Sequence, residues 1–265
     1  DLNIVNSFNW TGGRIEAPAG PAQTLILQTG ASALLSGGQK VLDRRQFGIN
    51  GSLIWTTGLI ELANGAGIQI SPTGELRSNP GVAFEEIQGT GVGTAQVSNN
   101  GGIVKIGTRG SGLAATVQYV GAGTVLVDGG KFRFAGGGTY NDAYTVNAGA
   151  DLEFVHANRS FSGGSFAGAG KFVFGDASGV VSGNTVSSCF LPGTNVAIRD
   201  AVLTVNCSTP TTWAALALER DAAVLQGSSA IEVSNQLHWS SGRIAGASTA
   251  QTFTLANGAS ALFDG

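Results

Sequence analysis

Apolar and polar residues alternate along most of this chain in short stretches that glycines interrupt. The segments 24–38 (TLILQTGASALLSGG), 124–137 (TVLVDGGKFRFAGG) and 252–265 (TFTLANGASALFDG) share one template. Each reads as a strand, a tight turn at Gly or Asn-Gly, a second alternating strand and a glycine corner. Alternation with a period of two residues is typical of half-buried strands, and glycine permits the positive φ of tight corners. The pattern predicts an all-β chain, including segment 216–227 (LALERDAAVLQG), which could otherwise pass for a helix.

The template recurs about every 20–25 residues without long loops, which is typical of a solenoid. Antiparallel sandwiches and barrels also contain short strands at regular spacing. Those folds do not require the same side-chain pattern to recur in register. Stacked coils do require it, because each coil buries its inner face only against its neighbours. We therefore predict a parallel β-helix, or β-solenoid, with coils of about 20–25 residues.

The sequence also contains a longer repeat, which spans many copies of the short template. FNWTGGRI at 8–15 returns as LHWSSGRI at 237–244, and identical residues continue in the same order to Gly37 and Gly265. We predict that 1–238 form one long solenoid unit and that 239–265 start the next tandem copy, continuous with the same solenoid. The coil edges at the ends of such a unit would be templates for head-to-tail association of the protein with itself.

The motif W[TS]xG.I, followed by L.L..GA.AL..G, GADLEF and GAGKFVF, resembles the repeats of large bacterial extracellular and surface β-helix proteins. Filamentous-haemagglutinin-like adhesins and autotransporter passengers are similar in style. The resemblance covers nearly the whole chain and is one of pattern. It implies a right-handed parallel β-helix, secreted or on the cell surface, with a non-enzymatic structural or adhesive role as a rigid rod or fibre segment. It specifies no ligand, and segment 187–210 departs from it by carrying two cysteines.

Composition excludes several classes of protein. The hydrophobic share of 42% excludes an intrinsically disordered chain. Only 12% of residues are charged, the net charge is −3, and the 14 Lys and Arg form no basic run. A nucleic-acid partner is therefore not expected. No apolar run approaches the roughly 18–20 residues of a membrane span, so none is predicted.

The two cysteines are 207 − 189 = 18 residues apart, close to one coil. Residues stacked on adjacent coils lie roughly 4.8 Å apart, inside the usual ~4.4–6.8 Å Cα range of disulfides. We predict a disulfide between Cys189 and Cys207 that staples adjacent coils and fits an oxidising compartment. The alternative is a stacked pair of free thiols that behave as small hydrophobes. Neither histidine lies at a ligand spacing from them, so no metal site is predicted.

Four Asn-x-Ser/Thr triplets make Asn9, Asn50, Asn158 and Asn206 candidate N-glycan acceptors. The alternative interpretation is that these asparagines are simple turn residues.

Parallel β-helices also include polysaccharide lyases, glycosidases and tailspikes. The sequence must therefore be searched for residues that could catalyse such reactions. Glycoside hydrolysis uses two carboxylates about 5–10 Å apart. Asp128, Asp151 and Asp176 occupy different places in the template, so we interpret them as turn and cap residues. Arg44 or Arg45 in KVLDRRQF is interpreted as a structural residue that pairs across coils.

No catalytic residue or cofactor is predicted. A carbohydrate-active β-helix (lyase, glycosidase or tailspike-like) or a carbohydrate-binding module, with polysaccharide or cell-surface glycans as partners, is the alternative function. Trp10, Trp55 and Trp239 belong to the repeat motif and are expected to pack in the solenoid wall. Trp213 lies outside that motif and is the candidate ligand contact.

Overall fold

The computed structural model describes residues 1–18, 23–81, 83–176, 178–187, 189–246 and 252–264. All regular structure in this part of the chain is β-strand, and the pairings are parallel. The strands stack as a β-solenoid of about 11 turns, which confirms the predicted fold class. The chain divides into two compact units, an N-terminal unit of Asp1–Gly138 and a C-terminal unit of Thr139–Gly265.

The N-terminal unit contains eighteen strands, which are β1 (Leu2–Ile4), β2 (Ser7–Trp10), β3 (Gly13–Glu16), β4 (Gln23–Leu27), β5 (Ser32–Leu35), β6 (Lys40–Asp43), β7 (Arg45–Ile49), β8 (Ser52–Trp55), β9 (Ile60–Ala63), β10 (Gly67–Ile70), β11 (Glu75–Ser78), β12 (Glu85–Thr90), β13 (Ala95–Asn99), β14 (Gly102–Lys105), β15 (Gly110–Leu113), β16 (Val117–Gly121), β17 (Thr124–Val127) and β18 (Lys131–Phe134). Every third strand belongs to the same sheet. Sheet A runs β1-β4-β7-β10-β13-β16, sheet B β2-β5-β8-β11-β14-β17 and sheet C β3-β6-β9-β12-β15-β18. Each coil of this unit therefore contributes one strand to each of three sheets.

β19 starts on Gly138, the last residue of the N-terminal unit, and continues into the C-terminal unit. The strands of the C-terminal unit are β19 (Gly138–Tyr140), β20 (Ala143–Val146), β21 (Asp151–Phe154), β22 (Arg159–Phe161), β23 (Ser165–Ala167), β24 (Lys171–Phe174), β25 (Ser182–Val186), β26 (Thr194–Ile198), β27 (Ala201–Val205), β28 (Thr211–Leu218), β29 (Val224–Gly227), β30 (Ile231–Trp239), β31 (Arg243–Gly246), β32 (Phe253–Leu255) and β33 (Ser260–Phe263). Its sheet D runs β19-β22-β25-β27-β29-β31, and its sheet F runs β21-β24-β26-β28-β30-β32, with β33 also on β30. Sheet E pairs β20 with β23 and continues only as the single bridge Phe166–Phe190.

Coil length follows from the register of the ladders. On sheet A, Leu25 pairs with Phe47 and Phe47 with Ile68, which gives coils of 47 − 25 = 22 and 68 − 47 = 21 residues. Ile68 then pairs with Val97, so this coil has 97 − 68 = 29 residues and exceeds the predicted range. Compared with the coil before it, this coil has two more residues between β10 and β11, four more between β11 and β12 and two more between β12 and β13. The segment 216–227 is strand, turn and strand as predicted, because β28 ends at Leu218 and β29 begins at Val224.

The core of each unit is a ladder of inward side chains. In the C-terminal unit that ladder is aromatic, and the rings of Phe154 and Phe174 stack with their centroids 5.4 Å apart. Phe166 stacks between Tyr144 at 5.2 Å and Phe190 at 4.5 Å. Aromatic pairs of this kind contribute about 0.5–1.5 kcal/mol each beyond their buried area. Parallel in-register stacking therefore stabilises this unit from inside.

The tryptophan motif has one structural cause wherever it occurs. The indole nitrogens of Trp10, Trp55 and Trp239 donate to glycine carbonyls two or three residues ahead, at 3.1, 2.8 and 3.2 Å. The glycine three residues after each tryptophan has a positive φ of 91°, 83° or 87°. Trp10 and Trp55 are buried and Trp239 is half-buried. The spacing thus closes a tight corner, and wall packing of these tryptophans is confirmed.

Two residue pairs recur in the two copies of the long repeat, although β1 and β2 lie on separate sheets and the one long strand β30 carries both positions in the second copy. Leu2 pairs with Leu25, and its counterpart Ile231 pairs with Phe253. Likewise Trp10 pairs with Leu35, and Trp239 with Phe263. The division of the chain into 1–238 and 239–265 stays a prediction, and residues 247–251 and 265 of the second copy lie outside the described residues.

No helix in the described ranges is long and apolar enough to cross a membrane.

Gly58 provides a stability test of the tryptophan corner. A Cβ there would collide with the carbonyl oxygens of Gly37 and Gly38, and the φ of 83° disfavours any other residue. Gly58→Ala is expected to lower the free energy of unfolding by about 1–3 kcal/mol in urea titrations. Gly81→Ala is the matched control, because its Cβ would meet no atom within 4 Å. Equal stability of the two variants would contradict this account of the motif.

Candidate functional site

A groove runs across the outer face of sheet F in the C-terminal unit. Leu152, Phe172 and Val196 point into the core, and the residue before each of them is turned outward and partly exposed. The register stacks one outward row across five consecutive strands of the sheet: Asp151, Lys171, Asn195, Ala215 and Gln236. Residues that are far apart in sequence therefore line one surface.

The groove has a volume of about 450 Å³. Its floor is made of residues with little or no side chain, including Gly149, Ala169, Gly170 and Ala217, so the strands leave room above them. Polar side chains border this floor: Asp151, Lys171, Asn195, Glu219, Gln236 and His238. Concave sites with a few convergent polar groups are the usual places for ligands.

Arg199 organises the acidic groups next to the groove. Its Nε lies 2.7 Å from an Oε2 of Glu219, and its Nη1 lies 3.7 Å from the buried carboxylate of Glu153. Burial alone would lower the pKa of Arg199, but the hydrogen bond and charge of Glu219 and the charge of Glu153 raise it. The ion pair fixes the Glu219 carboxylate at the border of the groove.

The other polar groups keep atoms free for a ligand. Asn195 donates its amide to the carbonyl of Ala169 at 2.7 Å, which leaves its Oδ1 as an acceptor. The Nε2 of His238 lies 2.9 Å from Oδ1 of Asp264, and its Nδ1 has no partner among the described residues. Lys171 and Asp151 are stacked neighbours without an ion pair within 4 Å. The groove can therefore hydrogen bond a hydroxyl-rich ligand, and its carboxylates and imidazole are groups able to move a proton.

Trp213 is not part of this groove or of any surface. Its side chain is fully buried and meets Phe190 edge-on with centroids 5.3 Å apart. The position of Trp213 follows from its strand, because Trp213 pairs in register with Thr194 on β26 and with Val233 on β30, both buried. The interpretation of Trp213 as an exposed ligand contact is therefore corrected to a core residue.

Cys189 and Cys207 lie on adjacent coils, because Val186 and Val205 just before them are register partners. Both are free thiols in the structure, and the Sγ of Cys189 lies 3.5 Å from the Oγ1 of Thr209. Burial, followed by the hydrogen bond to Cys189, raises the pKa of Cys207 to about 12. Burial also acts to raise the pKa of Cys189, but hydrogen bonds from Cys207 and Thr209 lower it overall. The disulfide between them stays a prediction.

The four glycan candidates occupy different environments. Asn9 is exposed on β2, and Asn50 is half-buried directly after β7. The side-chain oxygen of Asn158 accepts from the backbone of Gly183 at 2.7 Å, and that of Asn206 accepts from Ser228 at 3.1 Å. The last two asparagines therefore join coils as turn residues, and glycosylation of all four stays a prediction.

The three aspartates singled out in the sequence lie at different places in their coils, and the two arginines have structural partners. Asp128 directly follows β17, Asp151 opens β21 and Asp176 lies two residues after β24, so the three occupy different places in their coils. Arg44 pairs with Glu16, and Arg45 donates to Gln23 at 2.8 Å. Both arginine contacts cross between coils, which confirms their predicted role.

Sequence reasoning did not identify Lys171, Asn195, Glu219, Gln236 or His238 as groove residues. The available signal was the alignment of GADLEF with GAGKFVF, which already stacks Asp151 on Lys171. Gln236 and His238 were harder to place, because β28 and β30 contain register shifts that no template shows.

No protein-family model, curated protein or solved structure matches this chain. Among the described residues, no group of three or more His, Cys, Asp or Glu side chains could hold a metal ion.

The two cysteines are expected to differ in reactivity when the protein is reduced. Thiolate is the reactive form, and the lowered pKa of Cys189 and the raised pKa of Cys207 favour it only at Cys189. Iodoacetamide at pH 8 should therefore modify Cys189 first, as read by peptide mass mapping over time. Cys189→Ser provides the control, since it should leave slow alkylation of Cys207 alone. Faster labelling of Cys207 in the folded protein would contradict the prediction.

Proposed function

We propose that this chain is a non-enzymatic structural or adhesive repeat module of a long extracellular or cell-surface protein, and that it acts as a rigid rod or fibre segment. One observation carries the proposal: strands pair in register from coil to coil, and the residue pairs Leu2–Leu25 and Trp10–Leu35 recur one long repeat later as Ile231–Phe253 and Trp239–Phe263. Coils can therefore be added to the stack by one pairing rule.

Rigidity follows from the pairing. Apart from the first and last strands of each sheet, a strand of the N-terminal unit is hydrogen bonded to a neighbour on both sides. Bending a stack of this kind would break several backbone bonds and open a close-packed core at the same time. The stack thus suits a spacer that holds a surface at a fixed distance.

Two features of the sequence support the extracellular setting. The repeat style resembles that of secreted β-helix adhesins, and Cys189 and Cys207 lie on adjacent coils where a disulfide would fit an oxidising compartment.

The groove favours a second candidate, a carbohydrate-active or carbohydrate-binding site. Asp151, Glu219 and His238 border a cavity next to hydrogen-bonding amides. Carboxylates of this kind are the groups that glycoside hydrolysis uses.

A sugar-release assay separates the two candidates. The folded protein is incubated with a panel of neutral and acidic polysaccharides, and reducing ends and unsaturated products are measured. We expect no release above that of buffer, because a structural module needs no chemistry.

Release would overturn the non-enzymatic proposal. Glu219→Gln and Asp151→Asn would then be expected to lower it by a factor of about 100 or more, the usual scale for an acid or base. Asp128→Asn is the matched control outside the groove.

A further inference from the structure

The outer face of sheet A in the N-terminal unit carries three rows of stacked residues. Leu25, Phe47 and Val97 point inward, so the residues on either side of them point outward. The register and the turn hydrogen bonds align the rows over five coils. We call this surface the amide face, and its rows are Thr24, Gln46, Gly67, Gln96, Gln118; Ile26, Gly48, Gln69, Ser98, Val120; and Gln28, Asn50, Ser71, Asn100, Ala122.

The amide face contains no charged residue among these fifteen described positions, and ten of them are Gln, Asn, Ser or Thr. Stacking alone does not explain why the amide face lacks charged residues. The outer faces of sheets B and C in the same unit have the same spacing and carry Glu75, Arg77, Glu61, Lys131 and Arg133. The lack of charge is therefore a property of this one face.

Five of its seven amides are also unused by the protein, whereas Gln28 and Gln46 donate to Asn3 and Gly65. The side chains of Asn50, Gln69, Gln96, Asn100 and Gln118 make no hydrogen bond to any described residue, and Gln69, Asn100 and Gln118 are exposed. A shallow groove of about 380 Å³ passes between several of these residues, where Gly48 leaves space. Donors and acceptors are thus presented together along the stack.

We infer that the amide face binds an uncharged, hydroxyl-rich polysaccharide strand. A primary amide both donates and accepts hydrogen bonds, which matches a sugar hydroxyl that does the same. A neutral ligand that binds a charged face removes water from charges that it cannot pair, which is costly. The amide face has no charge to desolvate. Successive coils repeat at roughly 4.8 Å, similar to the length of a sugar residue, so equivalent groups meet successive sugars. The inference supplies the adhesive role with a surface and a ligand class, and it rests on that role.

The test is calorimetric titration of the folded protein with neutral polysaccharides, dextran and a soluble mixed-linkage glucan, and with acidic ones, polygalacturonate and heparin. Binding is expected for a neutral polymer, with a Kd that changes less than twofold between about 0.05 and 0.5 M NaCl, because no ion pair is screened. The Gln69→Ala/Gln118→Ala variant should weaken binding by about tenfold or more through lost hydrogen bonds.

Gln39→Ala/Asn79→Ala is the matched control, because it removes two exposed amides that lie off the amide face. The control should bind as the parent does, and thermal unfolding checks that both variants are folded. Gln69→Arg is a second variant for the same titration. It should also weaken binding, because a neutral ligand would bury its charge.

Three results would overturn the inference. The first is no binding to any neutral polymer by the folded protein. The second is binding confined to acidic polymers that salt abolishes. The third is concentration-dependent self-association that Gln69→Arg removes, which would make a second copy the occupant of the face. None of these outcomes releases sugar, so they leave the non-enzymatic proposal separately testable.

Discussion

In-register parallel stacking of one coil on the next is the constraint on which the rest of this structure depends. Each strand finds its hydrogen-bond partners one coil away rather than next to it in sequence. A residue therefore meets its counterpart in the neighbouring coil, and most inward positions are apolar from coil to coil. The aromatic stack from Tyr144 to Trp213 in the C-terminal unit and the mostly aliphatic core of the N-terminal unit are two solutions to that requirement.

At the corners of the coils, backbone carbonyls turn away from the ladders and need hydrogen-bond donors from elsewhere. Buried cations supply those donors. The Nζ of Lys40 donates to the carbonyls of Gly38 and Thr57 at 2.7 and 2.6 Å, and Arg159 donates to those of Val155 and Ala157 at 2.6 and 2.9 Å. Lys105 binds Gly107 and Gly129 in the same way, and burial lowers the pKa of Lys105 to about 8. These charges are structural, because unpaired buried carbonyls would cost more than their pairing does.

Period-two alternation and the recurrence of the template were enough to predict the fold class from the sequence, since both report directly on stacking. They also placed Arg44 or Arg45 in a cross-coil contact. Trp213 was misassigned because its place outside the tryptophan motif says nothing about which way its side chain points. Its neighbours on the bulged strand β28 decide that, and a bulge leaves no mark on an alternating pattern. The groove was missed for the same reason, because Gln236 and His238 reach it only through the irregular pairing of β28 with β30.

Stacking constrains the inward positions and leaves the outward ones free, so the outer faces are where this fold can acquire a function. The groove beside Glu219 and His238 combines charges with hydrogen-bonding amides, whereas the amide face has hydrogen-bonding groups without charge. Two faces of such different chemistry on similar ladders cannot both be explained by the needs of the core. Their difference is what a selected surface would produce, and it is the reason to look for ligands on the faces of the solenoid rather than inside it.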